Sequence, residues 1–258
     1  MLASQRRSVI LELVEEAGAV KVSDLVERLG VSDMTIRRDI ERLSTDGLLE
    51  RVHGGALALD GAPSSDEPGF SAKSLLQLVQ KQAIARAAAR RVEPGSAIGI
   101  SAGTTTYELA RAVKDLPQLT VVTNSVPVAQ LLHESGTPGQ TVVLTGGVRT
   151  PSDALVGPVA VAALRALHVD LLFLGAHGVD SRAGLTTPNL VEAETNQALV
   201  ESARHVCVLA DSSKWGTVGL STFASLSQID LFVTDNGIPD RARQALREAV
   251  GSLEIVEA

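Results

Sequence analysis

Beyond residue 75 the chain alternates between short apolar runs and stretches with helical spacing, and this restricts it to few architectures. Strand-like runs fall at 97–100, 119–123, 141–145, 170–174, 206–210, 229–234 and 253–256. Helical stretches at 107–116, 126–134, 159–167, 191–204 and 241–250 separate most of them. Strand–helix alternation at this spacing implies an α/β domain with a mostly parallel sheet and helices on its faces. With 258 residues, 45% of them hydrophobic, such a domain can bury a core without disulfides or metal staples. Only six residues are aromatic, so the core is built from Val, Leu, Ile and Ala. The same scarcity argues against a single-strand nucleic-acid binder that stacks bases on aromatic rings.

The first 57 residues follow another pattern. Leu2, Val9, Ile10, Leu13 and Val14 share a helical face, and Gly18 ends that helix. Ser23 is expected to cap a second helix, 24–29, broken by Gly30. Ser32 caps a third, running to about Thr45, with Gly47 past its end. The segment LLERVHGGA, 48–56, has the length of a two-stranded wing. From 59 to 74 the composition shifts to Gly, Pro, Ser and charge, which marks a linker. The expected organisation is a small three-helix domain with a β wing at 1–57, a linker at 58–74 and an α/β domain at 75–258.

On the third helix Ile36, Ile40 and Leu43 form one narrow apolar stripe. The opposite face carries Met34, Thr35, Arg38 and Arg42, with Arg37 on the flank and Ser32 at the start. Such a helix, following a short helix and a tight turn, matches a recognition helix whose arginines pair bidentately with guanine. Arg51 and His53 of the wing extend the basic patch. A merely solvated helix face is the competing reading. Residues 1–55 hold eight Lys/Arg against ten Asp/Glu, a net of −2 where a basic domain is expected of a DNA binder. The distribution is read in favour of DNA, because Glu12, Glu15 and Glu16 fill much of helix one while Arg37, Arg38, Arg42, Arg51 and His53 cluster in helix three and the wing.

In the second domain, Ser101-Ala-Gly103-Thr104-Thr105-Thr106 follows a strand and opens a helix, whose free N–H groups suit an anion. Ordinary Ser/Thr capping explains the motif equally well if it stands alone. Thr123-Asn124-Ser125, Thr145-Gly146-Gly147, the glycine-rich 175–178 and Asp211-Ser-Ser-Lys214 also end apolar runs, and ligands of open parallel sheets bind beyond the carboxyl ends of strands. Lys214 by itself is as readily a solvated lysine.

TIRRD at 35–39 with RVHGGA at 51–56 resembles the winged helix-turn-helix of DeoR-type bacterial transcription regulators. SAGTTT, VVTNS, LTGG, LVGP, GLTT and LADSSKW follow in the order of their sensor domain, so the resemblance covers nearly the whole chain. That domain is similar to ribose-5-phosphate isomerase and glucosamine-6-phosphate deaminase. The resemblance implies that helix three enters the major groove and that Gly103, Thr104 and Thr105 hold a phosphate paired with Lys214. Ser101, Thr106, Asn124, Gly146, Gly147 and Asp211 would shape a sugar pocket. Glu192 and Glu194 lie where the enzymes place a catalytic acid or base; recognition of a hydroxyl or a helix-start acid are alternatives. The expected function is a repressor of a sugar catabolic operon, released by a phosphorylated sugar; an activator would use the same parts. The competing reading is a sugar-phosphate isomerase or deaminase with a DNA-binding appendage.

The expected partners are double-stranded operator DNA, the phosphosugar and further copies of the chain. No catalytic residue, cofactor or metal is expected, since His133 and His177 lack ligand spacing. One cysteine, Cys207, excludes an internal disulfide and reads as a buried thiol. Early charges at Arg6, Arg7 and Glu12 with no apolar h-region speak against a signal peptide, so none is expected. The longest apolar stretch, 154–164, is short of the ~18 residues of a membrane helix, so a cytoplasmic protein is expected.

Overall fold

Apolar residues at helical spacing make three helices within the first 45 residues: α1 (Ala3–Ala17), α2 (Val22–Leu29) and α3 (Asp33–Thr45). The computed structural model describes residues 2–52, 54–57, 70–74 and 76–258. They divide into two compact units, 1–78 and 79–258. In the first, Ile10, Leu11, Leu25, Ile36, Ile40 and Leu43 form one core. Three short strands, β1 (Ala19–Lys21), β2 (Glu50–Val52) and β3 (Gly55–Leu57), pair antiparallel in the order β1-β3-β2. The close approach of β1 demands a glycine, since a Cβ on Gly55 would lie 2.2 Å from the Val20 carbonyl oxygen.

β1 also corrects the expected start of the second helix. Pairing with β3 carries extended backbone up to Lys21, which becomes the N-cap of α2; Ser23 lies inside the helix and donates to Asp24 instead, at 2.9 Å. The expected linker lies largely outside the described residues, and its end, Phe70–Lys73, forms a short helix, α4.

The second unit opens with α5 (Leu78–Ala89), which periodicity does not reveal because its buried face is largely alanine. Then come β4 (Ala97–Ile100), α6 (Thr104–Val113), β5 (Thr120–Thr123), α7 (Val126–Ser135) and β6 (Thr141–Leu144). A hairpin, β7 (Val148–Arg149) with β8 (Leu155–Val156), leads into α8 (Pro158–Arg165). The chain continues through β9 (Val169–Leu174), β10 (Gly178–Asp180), β11 (Gly184–Thr187) and α9 (Leu190–Glu201). It ends with β12 (Ala203–Leu209), β13 (Ser221–Ala224), β14 (Leu231–Asp235), α10 (Asp240–Ala249) and β15 (Leu253–Val256).

Seven strands form one parallel sheet in the order β15-β14-β12-β9-β4-β5-β6, matching the seven apolar runs. Strand alternation splits its core in two. Phe173, Cys207 and Leu209 face α5, α6 and α7, while Leu172, Leu174, Val206 and Val208 face α8, α9 and α10. Burial pushes the Cys207 thiol up to about 12, as befits an inert core residue. The expected helix over 191–204 stops at Glu201, because Ala203 already pairs with Val169 in the sheet. A smaller antiparallel sheet, β10-β11-β13, flanks α9. No helix among the described residues is long and apolar enough to cross a membrane.

The chain builds β4, β5 and β6 outward in one direction, then returns to place β9 on the other side of β4. That reversal opens a crevice beyond the carboxyl ends of β4 and β9.

Candidate functional site

Ser32 caps α3: its Oγ accepts from the Thr35 N–H at 3.3 Å and lies 2.8 Å from Thr35 Oγ1. The helix is seated by a largely buried ion pair, Arg6 Nε to Asp39 Oδ2 at 2.6 Å. Asp39 therefore serves packing within the TIRRD motif; its place beside Ile36 and Ile40 is the signal that sequence reasoning passed over.

The exposed face carries Met34, Arg37, Arg38 and Arg42, with Thr35 half-buried. Three of the expected arginines hold internal partners. Arg37 reaches Asp33 (3.2 Å from Nη2 to Oδ2), which raises its pKa; Arg42 reaches Asp46 at 3.2 Å; Arg51 of the wing reaches Glu41 at 3.3 Å. Exposed pairs like these cost little to exchange for phosphate. Arg38 has no ion pair among the described residues, which leaves its fork uncommitted to any of them. His53 lies outside the described residues.

In the second unit the switch-point crevice collects the first loop cluster. Gly175 N–H donates to Ser101 Oγ at 3.0 Å, joining the ends of β9 and β4. Asn124, at the end of β5, accepts from Ala102 N–H at 2.8 Å and donates to the Leu155 carbonyl at 3.2 Å. Thr106 Oγ1 donates inward to the Ser101 and Gly103 carbonyls at 2.8 and 3.0 Å. Ser101, Asn124 and Thr106 thus spend their side chains shaping the loop. Gly103, at φ 154° and ψ 158°, sits where only glycine is at ease, and a Cβ there would meet Thr106 Oγ1 at 3.0 Å. No side chain caps α6. The N–H groups of Gly103, Thr104, Thr105 and Thr106 have no hydrogen-bond partner among the described residues. These are the four orphan donors of a helix start.

Gly146 and Gly147 follow Thr145, whose N–H bonds the Thr123 carbonyl at 3.1 Å. Gly147 passes so close to the hairpin that a Cβ would lie 2.5 Å from the Val156 oxygen. Asp211, after β12, is 3% exposed; its Oδ1 accepts from the Ser213 N–H and hydroxyl, while its Oδ2 is buried with no hydrogen-bond partner among the described residues. Lys214, three residues on, is half-buried and makes no ion pair among the described residues. Glu192, 8% exposed, accepts from Ser152 at 2.6 Å and Thr187 at 3.2 Å. Among the described residues no hydrogen bond links Glu192, Asp211 or Lys214 to the 101–106 loop. Sequence reasoning missed Ser152, which lies 40 residues from Glu192 and is brought to it by the hairpin, and Thr187, which is 5 residues before it and is placed by the end of β11.

Residues 6–61 match the DeoR-like helix-turn-helix domain and residues 76–236 the DeoR C-terminal sensor domain. The chain belongs to the DeoR family. This DeoR chain is 40% identical over 250 residues to the HTH-type transcriptional regulator GlpR of Haloferax volcanii, covering 96% of each. It is 33% identical over 258 residues to the glycerol-3-phosphate regulon repressor of Escherichia coli, covering 99% of this chain and 100% of that one. A solved ribose 5-phosphate isomerase from Methanocaldococcus jannaschii overlaps 53% of this chain and 54% of its own at 19% identity and a TM-score of 0.39. The DeoR chain is a DNA-binding transcriptional regulator, and the reading as an isomerase or deaminase with an appendage is set aside in its favour.

Proposed function

We propose that this DeoR regulator represses a sugar catabolic operon, binds its operator as a homo-oligomer and releases it when a phosphorylated sugar occupies the second unit. The observation that carries the effector reading is the bare start of α6: four N–H groups at the positive end of a helix dipole, positioned at the switch point. Phosphate there gains charge-assisted hydrogen bonds, with Lys214 as its counter-charge. The buried Asp211 Oδ2 is an acceptor in need of a donor, which a sugar hydroxyl supplies. Asn124, Gly146 and Gly147 set the shape of the loops around it. The Escherichia coli relative named for glycerol-3-phosphate supports a phosphate ester as the chemical class. On the DNA side Arg38 reads a base, while Ser32, Met34, Thr35, Arg37, Arg42, Arg51 and His53 position α3 and the wing.

The test is fluorescence anisotropy with a DNA fragment that the protein selects from a random-sequence pool, at fixed salt because phosphate contacts make affinity salt-dependent. Sugar phosphates are titrated against their unphosphorylated sugars. An active phosphosugar weakens DNA binding by roughly 5–150-fold, the usual range of allosteric coupling, and Lys214→Ala keeps DNA binding but loses most of the response. Equal action of free sugar and phosphosugar, or a wild-type response from Lys214→Ala, overturns the phosphate site.

A further inference from the structure

The second unit leaves an apolar surface bare. Among its described residues eight large hydrophobics are exposed, and six of them, Val148, Val159, Leu190, Val191, Val218 and Leu220, belong to segments that touch one another. A Cβ built on Gly146 would contact Val159 Cγ1 at 3.5 Å, and one on Gly157 would contact Val191 Cγ1 at 3.7 Å. The 218–220 loop is tied to β11 by the Gly219 N–H, which donates to Thr186 Oγ1 at 2.9 Å, and it packs against Thr187 and Pro188, just before α9. The patch therefore runs from the β7 hairpin across the starts of α8 and α9 to the 218–220 loop.

We infer that this patch is where a second copy of the chain docks, an inference that rests on the homo-oligomer proposed above. The six side chains are 44–72% exposed. Together they present on the order of a few hundred Å² of largely apolar surface, the size of the largest patch a monomer leaves to solvent, which is often functional. The occupant follows from charge and symmetry. The chain carries a net charge of −7, so copies repel except where a surface is uncharged. None of the six is charged, and at the border Arg149 and Asp153 neutralise each other at 2.7 Å. An apolar patch is complementary to itself, as an isologous two-fold interface requires. A helix-turn-helix reads paired half-sites, which calls for that second copy.

The experiment is sedimentation velocity of the full chain beside Val159→Glu/Leu220→Glu, whose two positions are 63% and 72% exposed and so tolerate the change. Wild type is expected to sediment as a dimer or larger even assembly and the double variant at half that mass or less, with a melting curve like wild type. A variant that keeps the wild-type mass overturns the patch and leaves the oligomer standing; a monomeric wild type at micromolar concentration overturns both. If the double variant does not fold, cross-linking decides. Val218→Cys, in a chain whose native Cys207 is buried, should yield a covalent dimer with a bismaleimide, whereas Ala112→Cys on α6 should not. Equal cross-linking of the two overturns the patch.

Discussion

The starts of α3 and α6 are opposite solutions to one problem. Every helix begins with N–H groups that its own turns cannot satisfy. At α3, Ser32 closes the end with its hydroxyl, and Arg37 is tethered to Asp33 in the first turn. At α6, Gly103 has no side chain to offer, and the Thr106 hydroxyl turns back onto carbonyls, leaving four donors bare. A closed helix start presents side chains, and side chains distinguish base edges. A bare one presents backbone, which recognises negative charge regardless of what carries it. In the function proposed above, the first serves DNA and the second a phosphate.

The largest break in this comparison is expected from Asp39→Ala, which leaves the Arg6 guanidinium buried and unpaired under α3. Losing one partner of a buried pair costs roughly 3 kcal/mol or more. Calorimetry should show the first unit melting earlier while phosphosugar binding is unchanged; a fall in phosphosugar affinity would mean that the two helices are not independent in function. Arg38→Ala should weaken specific DNA binding by about 1–3 kcal/mol, the value of a bidentate base contact, with no change in melting. Normal affinity in a folded Arg38→Ala protein would move base reading to another residue.

Gly103→Ala forces a side chain into a backbone region that costs of order 1–3 kcal/mol and pushes on Thr106 Oγ1. It should abolish the phosphosugar response while sparing DNA binding, read by the same anisotropy titration. Ser32→Ala is the mildest, about 1 kcal/mol for a lost N-cap. It should lower the melting temperature slightly and weaken DNA binding through fraying of α3. Retained stability would show that Asp33 alone satisfies that helix start.

Much of this was legible before the fold was known, and for a local reason. Capping at Ser32, the Ile36-Ile40-Leu43 stripe and the seven strand runs are set by neighbours within a turn or a pleat, and periodicity reports such neighbours directly. The start of α2 was misplaced because its cap is decided by the β1–β3 pairing across more than thirty residues. α5 escaped because alanine gives little contrast between buried and exposed faces.

What the sequence by itself determined is the set of parts: a helix-turn-helix, an α/β unit, and polar loops at the ends of parallel strands, matching the DeoR family over nearly its whole length. What only the tertiary structure decided is how each polar group is spent. Arg38 stands apart from three arginines with internal partners, Thr106 turns inward, and Glu192 closes on Ser152 and Thr187. The strand order places the Ser101 and Gly175 loops at the switch point. Residue type and spacing record what a side chain can bond to. Whether it still has a donor or acceptor to offer a ligand depends on which distant segment folding has brought against it, and that is a property of packing alone.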